Sequence, residues 1–279
     1  MRFGCCLPDK SLLPQLKEEA TQLEVVLAGD REIIAAGYDF SECYLDQILV
    51  LSEEEIDFLV RCKAEGSFHL EVANCFIPGS LPICAGEKRE ELRAYVECVM
   101  ARMQKLGIDT VVFGSGGARR VPEGMIYADA IAEIERFLIM CNEVAQKFGV
   151  TVVIEPLCHR VCNCLPTVAE CGDLARKIDL PYVKLLADSF HAYVEEEDLN
   201  HIFQYKDILR HVHISEMPTQ VIPGREGGGR PGREDGVYLT KFMEQVKKSG
   251  YDGRVTVECL YLDFAQEIRA GRAFLYTIL

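Results

Sequence analysis

Four side chains that can move protons or bind metal ions stand at the ends of apolar stretches in the second half of the chain. They are Glu155, Asp188, His213 and Glu258, which follow or lie near the end of the runs Thr151–Ile154, Val183–Ala187, His211–Ile214 and Val255–Val257. A carboxylate at the end of an apolar strand is costly to bury unless it is paired, hydrogen-bonded or bound to a metal. Because four successive runs end in this way, we expect these side chains to form one site of oxygen and nitrogen donors.

Such a donor set suits one divalent cation. Carboxylate and imidazole ligands are typical of Mn²⁺, which we expect first, and also of Mg²⁺, Co²⁺ and Zn²⁺. Each member also has a structural alternative, since a glutamate can pair with a surface Lys or Arg and Asp188 can cap the helix after it. His211 and His213 share one face of their strand, so one can be structural while the other binds. His213 is nearer the strand end and is the predicted ligand.

The elements that would position these residues are strands alternating with helices. Eight β-branched or apolar runs predict strands near Arg2–Cys6, Tyr38–Cys43, Phe68–Ala73, Thr110–Phe113, Thr151–Ile154, Val183–Ala187, His211–Ile214 and Val255–Val257. The clearest helical stretches are Glu53–Ala64, Lys88–Leu106, Tyr127–Phe148, Thr167–Ile178, Leu239–Ser249 and Leu262–Tyr276. Within them, apolar residues recur at spacings of three and four, which is the stripe that buries one helix face.

Strands that alternate with helices pair in parallel through crossovers, and eight such units are typical of a (β/α)8 barrel. We therefore predict an α/β fold in which residues 1–279 form a single TIM barrel domain. The competing fold, an open doubly wound sheet, would require a glycine-rich fingerprint after the first strand, and residues 5–8 do not provide one. In a barrel the carboxyl ends of the strands carry the active site, so the four side chains would converge there.

Composition narrows the class of partner. The chain has 279 residues with 44 acidic side chains against 30 Lys and Arg, a net charge of −14. This balance offers no basic surface for nucleic acid or anionic lipid, so we expect neither as a partner. No long apolar stretch or amino-terminal leader pattern is present, which predicts a cytoplasmic protein. The 13 Cys are odd in number and widely spread, so reduced thiols are expected rather than a disulfide framework.

A set of short motifs, taken in order along the chain, resembles one known superfamily. The motifs are Glu155-Pro156-Leu157, Asp188-x-Phe190-His191, His211-x-His213-x-x-Glu216, Pro231-Gly232, Gly250-Tyr251-Asp252-Gly253 and Glu258, together with Gly114-Ser115-Gly116, Arg119-Arg120 and Pro122 after the fourth strand. They are similar to those of the sugar isomerase/epimerase superfamily of xylose isomerase-like barrels, and most of all to the ketose 3-epimerases.

The resemblance implies a role for each matching residue. Glu155, Asp188, His213 and Glu258 would bind one divalent metal ion, the two glutamates would also act as the acid/base pair, and His191 would contact substrate. Removal of a proton next to a carbonyl gives an enediolate, which a bound metal ion stabilises. Return of the proton to the opposite face is epimerisation, and its transfer to the adjacent carbon is isomerisation.

The chain departs from the ketose epimerase pattern where sugar hydroxyls would be bound. Val161 stands where that pattern has a second Glu, and Thr219 stands where it has an Arg. We therefore expect free ketohexoses to be poor substrates and a smaller, less hydroxylated or partly apolar sugar derivative to be better. A glycine-rich loop follows, residues 224–232, which is either a mobile cover or an exposed insertion. Arg230 in this loop is the predicted substitute for the missing substrate arginine.

Three further features have both a functional and a structural interpretation. The segment Gly114–Arg120 could cradle a phosphate, although glycine-rich loops are more often tight turns. Glu42 and His69 could line the pocket, although a surface ion pair and a core histidine are the simpler interpretations.

Several other functions remain open. An inosose dehydratase-like lyase, or a subunit of a C-glycoside-cleaving enzyme, would use the same metal site. An apurinic endonuclease-like activity would require several histidine ligands beside carboxylates, and two of the six His of the chain lie outside the strand-end pattern. A non-catalytic sugar-binding barrel would be favoured by the loss of an acid/base glutamate, and both are present. A homo-oligomer is compatible with every one of these functions.

Overall fold

The computed structural model describes residues 1–84, 88–225 and 234–278, and within them eight parallel strands close into a barrel in sequence order. The strands are β1 Arg2–Cys6, β2 Phe40–Tyr44, β3 Leu70–Asn74, β4 Thr110–Phe113, β5 Thr151–Ile154, β6 Val183–Asp188, β7 Leu209–Ile214 and β8 Arg254–Val257. Strand β8 pairs with β1, which closes the barrel. The predicted (β/α)8 architecture is confirmed.

Helices connect the strands and cover the outside of the barrel. They are α1 Gln22–Ala35, α2 Leu45–Leu49, α3 Glu53–Ala64, α4 Arg89–Leu106, α5 Tyr127–Phe148, α6 Val168–Ile178, α7 Ser189–Val194, α8 Asn200–Gln204, α9 Glu234–Lys248 and α10 Phe264–Ile278, with one 3-10 turn at Lys10–Leu12. The first helix and the short helices α2, α7 and α8 were not among the clear sequence signals. None of the helices in the described ranges is long and apolar enough to cross a membrane.

Local sequence signals set the ends of these helices. Thr21 and Ser52 begin α1 and α3 with capping boxes, in which the hydroxyl accepts from the third helical N–H and a glutamate returns a bond to the cap. Gly107 and Gly149 end α4 and α5 with φ of 65° and 70°, a left-handed conformation that favours glycine. Each of these glycines leads within three residues into the next strand.

Alternation along the strands separates the barrel interior from the surrounding helix layer. One set of side chains fills the middle of the barrel: Phe40, Val72, Val112, Val153 and Leu186. Gly4 on β1 belongs to the same layer, since a Cβ at this position would lie 2.2 Å from the Phe40 ring. The next inward position on each strand lies two residues further on, at the carboxyl end. That layer contains Cys6, Glu42, Asn74, Gly114, Glu155, Asp188, His213 and Glu258.

Candidate metal centre

The four predicted ligands come together at the carboxyl end of the barrel. One donor atom from each of Glu155, Asp188, His213 and Glu258 lies within 4.8 Å of the others. The first three side chains are buried, and the Glu258 side chain is 14% exposed. Their strands β5 to β8 are neighbours, so consecutive pairing of the sheet brings the four ends to one edge.

The cluster is organised around one nitrogen of His213. Its Nδ1 lies 2.9 Å from Glu155 Oε1 and 3.1 Å from Glu258 Oε2. A single N–H cannot donate well to two carboxylates at once, whereas a cation can bind several oxygens and an imidazole nitrogen together. Nδ1 is therefore the His213 atom that faces the candidate metal position.

The other nitrogen of His213 contacts Glu42, for which the sequence offered both a pocket-lining role and a surface ion pair. Glu42 on β2 is fully buried, with Oε1 at 2.9 Å from His213 Nε2 and Oε2 at 2.9 Å from His211 Nε2. The expected surface ion pair for Glu42 is therefore wrong. A carboxylate that accepts the second N–H of a metal-binding histidine fixes its ring and raises its basicity as a ligand.

Charge explains why Glu42 tolerates this buried position. Burial alone would raise the pKa of the Glu42 carboxyl, but the two imidazoles lower it below its ordinary value. Burial alone would lower the pKa of His213, but Glu42 and Glu258 raise it well above its ordinary value. The pKa of His211 is lowered, because burial outweighs its bond to Glu42. The Glu42 carboxylate and the imidazoles of His211 and His213 therefore offset each other's charge in a layer beneath the ligand cluster.

Glu155, Asp188 and Glu258 share only the one imidazole of His213, and a divalent cation fits them. Burial, with the repulsion of Glu258, raises the pKa of Glu155. Burial, with the repulsion of Glu155, raises the pKa of Asp188 well above its ordinary value. Three acidic side chains and one imidazole crowded into a buried space are the donor set that Mn²⁺, Mg²⁺, Co²⁺ or Zn²⁺ accepts. A cation there would relieve the repulsion between the carboxylates.

Asp188 is both a predicted ligand and a helix cap, the two roles that the sequence offered as alternatives. Its Oδ1 accepts from the backbone N–H of His191 at 2.8 Å, at the start of α7. The imidazole of His191 is buried, and its Nδ1 accepts from the backbone N–H of Cys158 at 3.2 Å. Burial lowers the pKa of His191 to about 4, so the neutral ring carries its proton on Nε2. His191 is therefore a neutral hydrogen-bond donor beside the cluster.

Two further residues position the glutamates. Asn74 was not predicted, and Gly114 was noted only as part of a glycine-rich motif. Asn74 on β3 donates from Nδ2 to Glu258 Oε1 at 2.6 Å. Gly114 follows β4, and a Cβ at this position would lie 2.1 Å from Glu155 Oε2. The glycine therefore makes room for the carboxylate. The signal that could have found Glu42, Asn74 and Gly114 is their register, because they occupy the same inward layer as the four ligands.

The glycine-rich segment after β4 forms a packed turn. Ser115 O accepts from the backbone N–H groups of Ala118 and Arg119. The Arg119 side chain is fully buried and donates to Phe113 O, and Arg120 donates to Val161 O at 2.6 Å. The tight-turn interpretation of this segment thus agrees with the structure. Arg120 has a protein partner, whereas Nε and Nη2 of the buried Arg119 have no hydrogen-bond partner among the described residues.

The other predicted positions are scattered. His69 lies before β3 at the opposite end of the barrel, with Nδ1 at 3.2 Å from Asp30, so it does not line the site. Val161 is 41% exposed, and Thr219 is also exposed. Arg230, the Pro231-Gly232 motif and most of loop 224–232 lie outside the described residues.

Comparison with known proteins shows which family the sequence of this chain matches. A family model described as xylose isomerase-like TIM barrel matches residues 31–278. D-psicose 3-epimerase of Ruminiclostridium cellulolyticum is 25% identical over 236 residues, 81% of this chain and 75% of that enzyme. 3-Dehydro-D-guloside 4-epimerase of Escherichia coli is 28% identical over 143 residues, 50% of this chain and 51% of that enzyme. The chain thus aligns with only about half the length of this second relative.

A solved structure supports the same fold over the whole chain. The structure of a D-psicose 3-epimerase in the presence of D-fructose superimposes with a TM-score of 0.80 at 17% identity, covering 100% of this chain and 99% of that one. At this identity the likeness concerns the fold. The family model covers most of the sequence and agrees with the closed eight-stranded barrel. The chain belongs to the xylose isomerase-like TIM barrel family.

Proposed function

We propose that this protein is a divalent-metal-dependent sugar isomerase or epimerase in which Glu155 and Glu258 are the acid/base pair. The observation that carries this proposal is the approach of both carboxylates, from strands β5 and β8, to the same His213 nitrogen at 2.9 and 3.1 Å. A divalent cation held by these three residues and Asp188 would supply charge stabilisation for an enediolate. Mn²⁺ is the cation we expect, with Mg²⁺, Co²⁺ and Zn²⁺ as alternatives.

The two glutamates would share the proton transfers. One carboxylate removes the proton from the carbon next to the substrate carbonyl, and the other carboxylic acid returns a proton to the opposite face. The raised pKa of Glu155, caused chiefly by burial, suits a group that must exist in both protonation states. Asn74, which donates to Glu258 at 2.6 Å, would hold the second carboxylate during the reaction.

His191 is the proposed substrate contact. Because its Nδ1 accepts from a backbone N–H, the Nε2–H is the donor that remains for a substrate oxygen. A neutral imidazole can donate this bond without adding charge to the site. Arg230 remains a proposed contact on sequence grounds alone.

The relatives suggest two kinds of sugar. One is named for a free ketose and the other for a keto-glycoside, and both reactions are epimerisations. Since Val161 and Thr219 stand where the ketose epimerase pattern has polar residues, we expect free ketohexoses to be the poorer class here. An unmet sugar hydroxyl typically costs about 1–3 kcal/mol.

The test is solvent isotope exchange combined with substitution of the acid/base pair. We expect Mn²⁺-loaded protein in D₂O to place deuterium on the carbon whose configuration changes. Glu155→Gln and Glu258→Gln should each lower kcat by at least about 100-fold, in the range for loss of a general acid or base. Glu195→Gln is the matched control, because Glu195 pairs with His159 and is outside the cluster.

The outcomes separate the alternatives. Product free of solvent deuterium, or full activity in both glutamine variants, would refute this mechanism. Loss of water from the substrate, detected as a product lighter by one water, would assign the same site to elimination instead.

A further inference from the structure

A large cavity lies beside the candidate metal centre, at the carboxyl ends of the first four strands. Its volume is about 810 Å³. This lies in the upper part of the roughly 300–1,000 Å³ range of pockets that enclose drug-sized ligands. The cavity is lined from the loops after β1 to β4 and from α1, α2 and α4, whereas the candidate ligands come from β5 to β8. A free ketohexose would therefore fill only part of the combined space.

The cavity and the candidate metal centre share a wall. Cys75 lines the cavity and follows Asn74, which donates to Glu258. Ser115 lines the cavity and follows Gly114, which packs against a ligand carboxylate. Both Cys75 and Ser115 have left-handed backbone, with φ of 55° and 47°, which turns the chain from the strand into the wall. The cavity therefore begins one residue away from the side chains that contact Glu155 and Glu258.

The shared wall is also braced. Ser115 Oγ accepts from the backbone N–H of Ile77 at 2.9 Å, which joins the loop after β4 to the loop after β3. Gly79 and Gly117 pack closely, since a Cβ at Gly117 would lie 3.2 Å from Gly79 Cα. A wall fixed in this way is preformed for a ligand, which reduces the ordering cost of binding.

One side of the cavity is apolar and aromatic. Val50, at the end of α2, lines it and is 70% exposed. Leu49, Ile77 and Tyr95 line it as well, and the Tyr95 hydroxyl is held by Phe76 O at 3.0 Å. Apolar and aromatic walls with few polar groups are typical of small-molecule sites. This wall fits an apolar substituent better than it fits sugar hydroxyls.

The charges in the cavity disfavour an anionic ligand. Among the lining residues that the structure describes, Lys10 is the one cation, and its ammonium donates to the backbone oxygens of Glu18 and Ala20. Asp9 and Asp46 add two carboxylates to the same lining. Since these two carboxylates outnumber the single lysine of the described lining, the cavity disfavours phosphate and carboxylate groups.

From these observations we propose that the substrate is an uncharged keto-glycoside that carries an apolar substituent of about the size of an aromatic ring. The sugar would lie at the carboxylate cluster, and the substituent would lie in the cavity against Val50, Leu49 and Tyr95. This assignment rests on the proposed epimerase or isomerase function, whose substrate class it specifies.

The experiment compares three neutral substrates and one charged substrate on Mn²⁺-loaded protein. They are phenyl 3-keto-glucoside, methyl 3-keto-glucoside, free fructose and fructose 6-phosphate. We expect kcat/KM for the phenyl glycoside to exceed that for the methyl glycoside by about tenfold or more. This is the discrimination that an apolar pocket provides between a substrate that fills it and one that does not. We expect the phosphorylated ketose to be the poorest substrate. Equal rates for phenyl and methyl glycosides, or a preference for the phosphate, would overturn the assignment.

A pair of variants localises the effect. Val50→Asp should reduce the phenyl-to-methyl ratio of kcat/KM by about tenfold, because it places a charge against the apolar group. Ile139→Asp is the matched control, since Ile139 lies on α5 away from the cavity and is 41% exposed. A ratio that is unchanged in Val50→Asp, with the protein still folded by circular dichroism, would refute the placement of the substituent.

Calorimetric binding of the phenyl and methyl glycosides separates this inference from the proposed function. Preferential binding of the phenyl glycoside, lost in Val50→Asp, would support the cavity assignment even if no sugar were converted, and the proposed reaction would then be wrong. Deuterium exchange on all glycosides without any phenyl preference would leave the reaction standing and refute the cavity assignment.

Discussion

Replacement of Glu42 by Gln tests whether the buried layer beneath the candidate ligands controls metal affinity. The carboxylate accepts one N–H from His213 and one from His211, each at 2.9 Å. A glutamine of the same shape can accept only one of these bonds through its carbonyl oxygen, and its NH₂ must face the other imidazole.

Each orientation of the glutamine amide disrupts one of the two hydrogen bonds. If the amide oxygen keeps the His213 bond, the NH₂ meets His211 Nε2, so the proton of His211 must move to Nδ1. Nδ1 of His211 is buried and has no hydrogen-bond partner, so a proton there would be an unsatisfied donor. Such a group costs about 1–3 kcal/mol. If the amide flips, His213 loses the acceptor that fixes its ring.

We therefore expect Glu42→Gln to weaken metal binding by about 10- to 100-fold, the usual effect of removing a carboxylate partner of a ligating histidine. The assay is competition titration of Mn²⁺ against a chelator of known affinity, with thermal unfolding followed in parallel. Thr256→Val is the matched control: it removes a hydroxyl 3.2 Å from His211 Nε2 but leaves the bond between Glu42 and His213. An affinity for Glu42→Gln within twofold of the wild type, in folded protein, would refute the reasoning.

The remaining predictions concern the glutamates and the cation. Gly114→Ala should lower kcat/KM by about 100-fold, because its Cβ would displace the Glu155 carboxylate. Gly116→Ala is the control, because the closest contacts of its Cβ would be carbon atoms of Leu157, Val161 and Cys162 at 3.1 to 3.6 Å. Equal losses in the two variants would contradict this explanation. Asn74→Asp should lower kcat by about tenfold or more, since it places a second carboxylate 2.6 Å from that of Glu258. A kcat equal to that of the wild type would exclude a positioning role for Asn74. Removal of metal with EDTA should lower Tm by several degrees, because a metal ion at a free concentration of 100 times its Kd stabilises the fold by about 2.7 kcal/mol. This shift should vanish in Glu258→Gln. Its absence in the wild-type protein would argue against a resident cation.

The sequence determined the barrel and the position of the candidate site within it. Apolar runs such as Thr151–Ile154, each followed by a polar residue, identify strands by local composition, and helices between them require parallel pairing. Parallel strands in a barrel place their carboxyl ends at one rim, so Glu155 and Glu258 could be predicted to converge without any knowledge of contacts. Their roles as ligands and as acid/base groups stay predictions.

Closure of the barrel decides which side chains lie beneath and beside the ligand cluster. Glu42 lies 169 residues from His211 along the chain, and Asn74 lies 184 residues from Glu258. Local sequence shows which face of a strand a side chain occupies, but not which side chain lies across the barrel from it. The sequence therefore left Glu42 between a surface ion pair and a pocket-lining role, and only the fold shows that two imidazoles contact its carboxylate.

The cavity is also a product of tertiary structure. Its walls come from four loops and three helices, and residues such as Val50 and Tyr95 carry no signal of a shared surface in the sequence. The tautomer of His191 likewise depends on tertiary structure, because the backbone N–H that donates to its Nδ1 belongs to Cys158, 33 residues away. Strand periodicity is a property of neighbouring residues and can be seen in sequence, whereas volume, charge compensation and tautomer depend on distant segments that only the closed fold brings together.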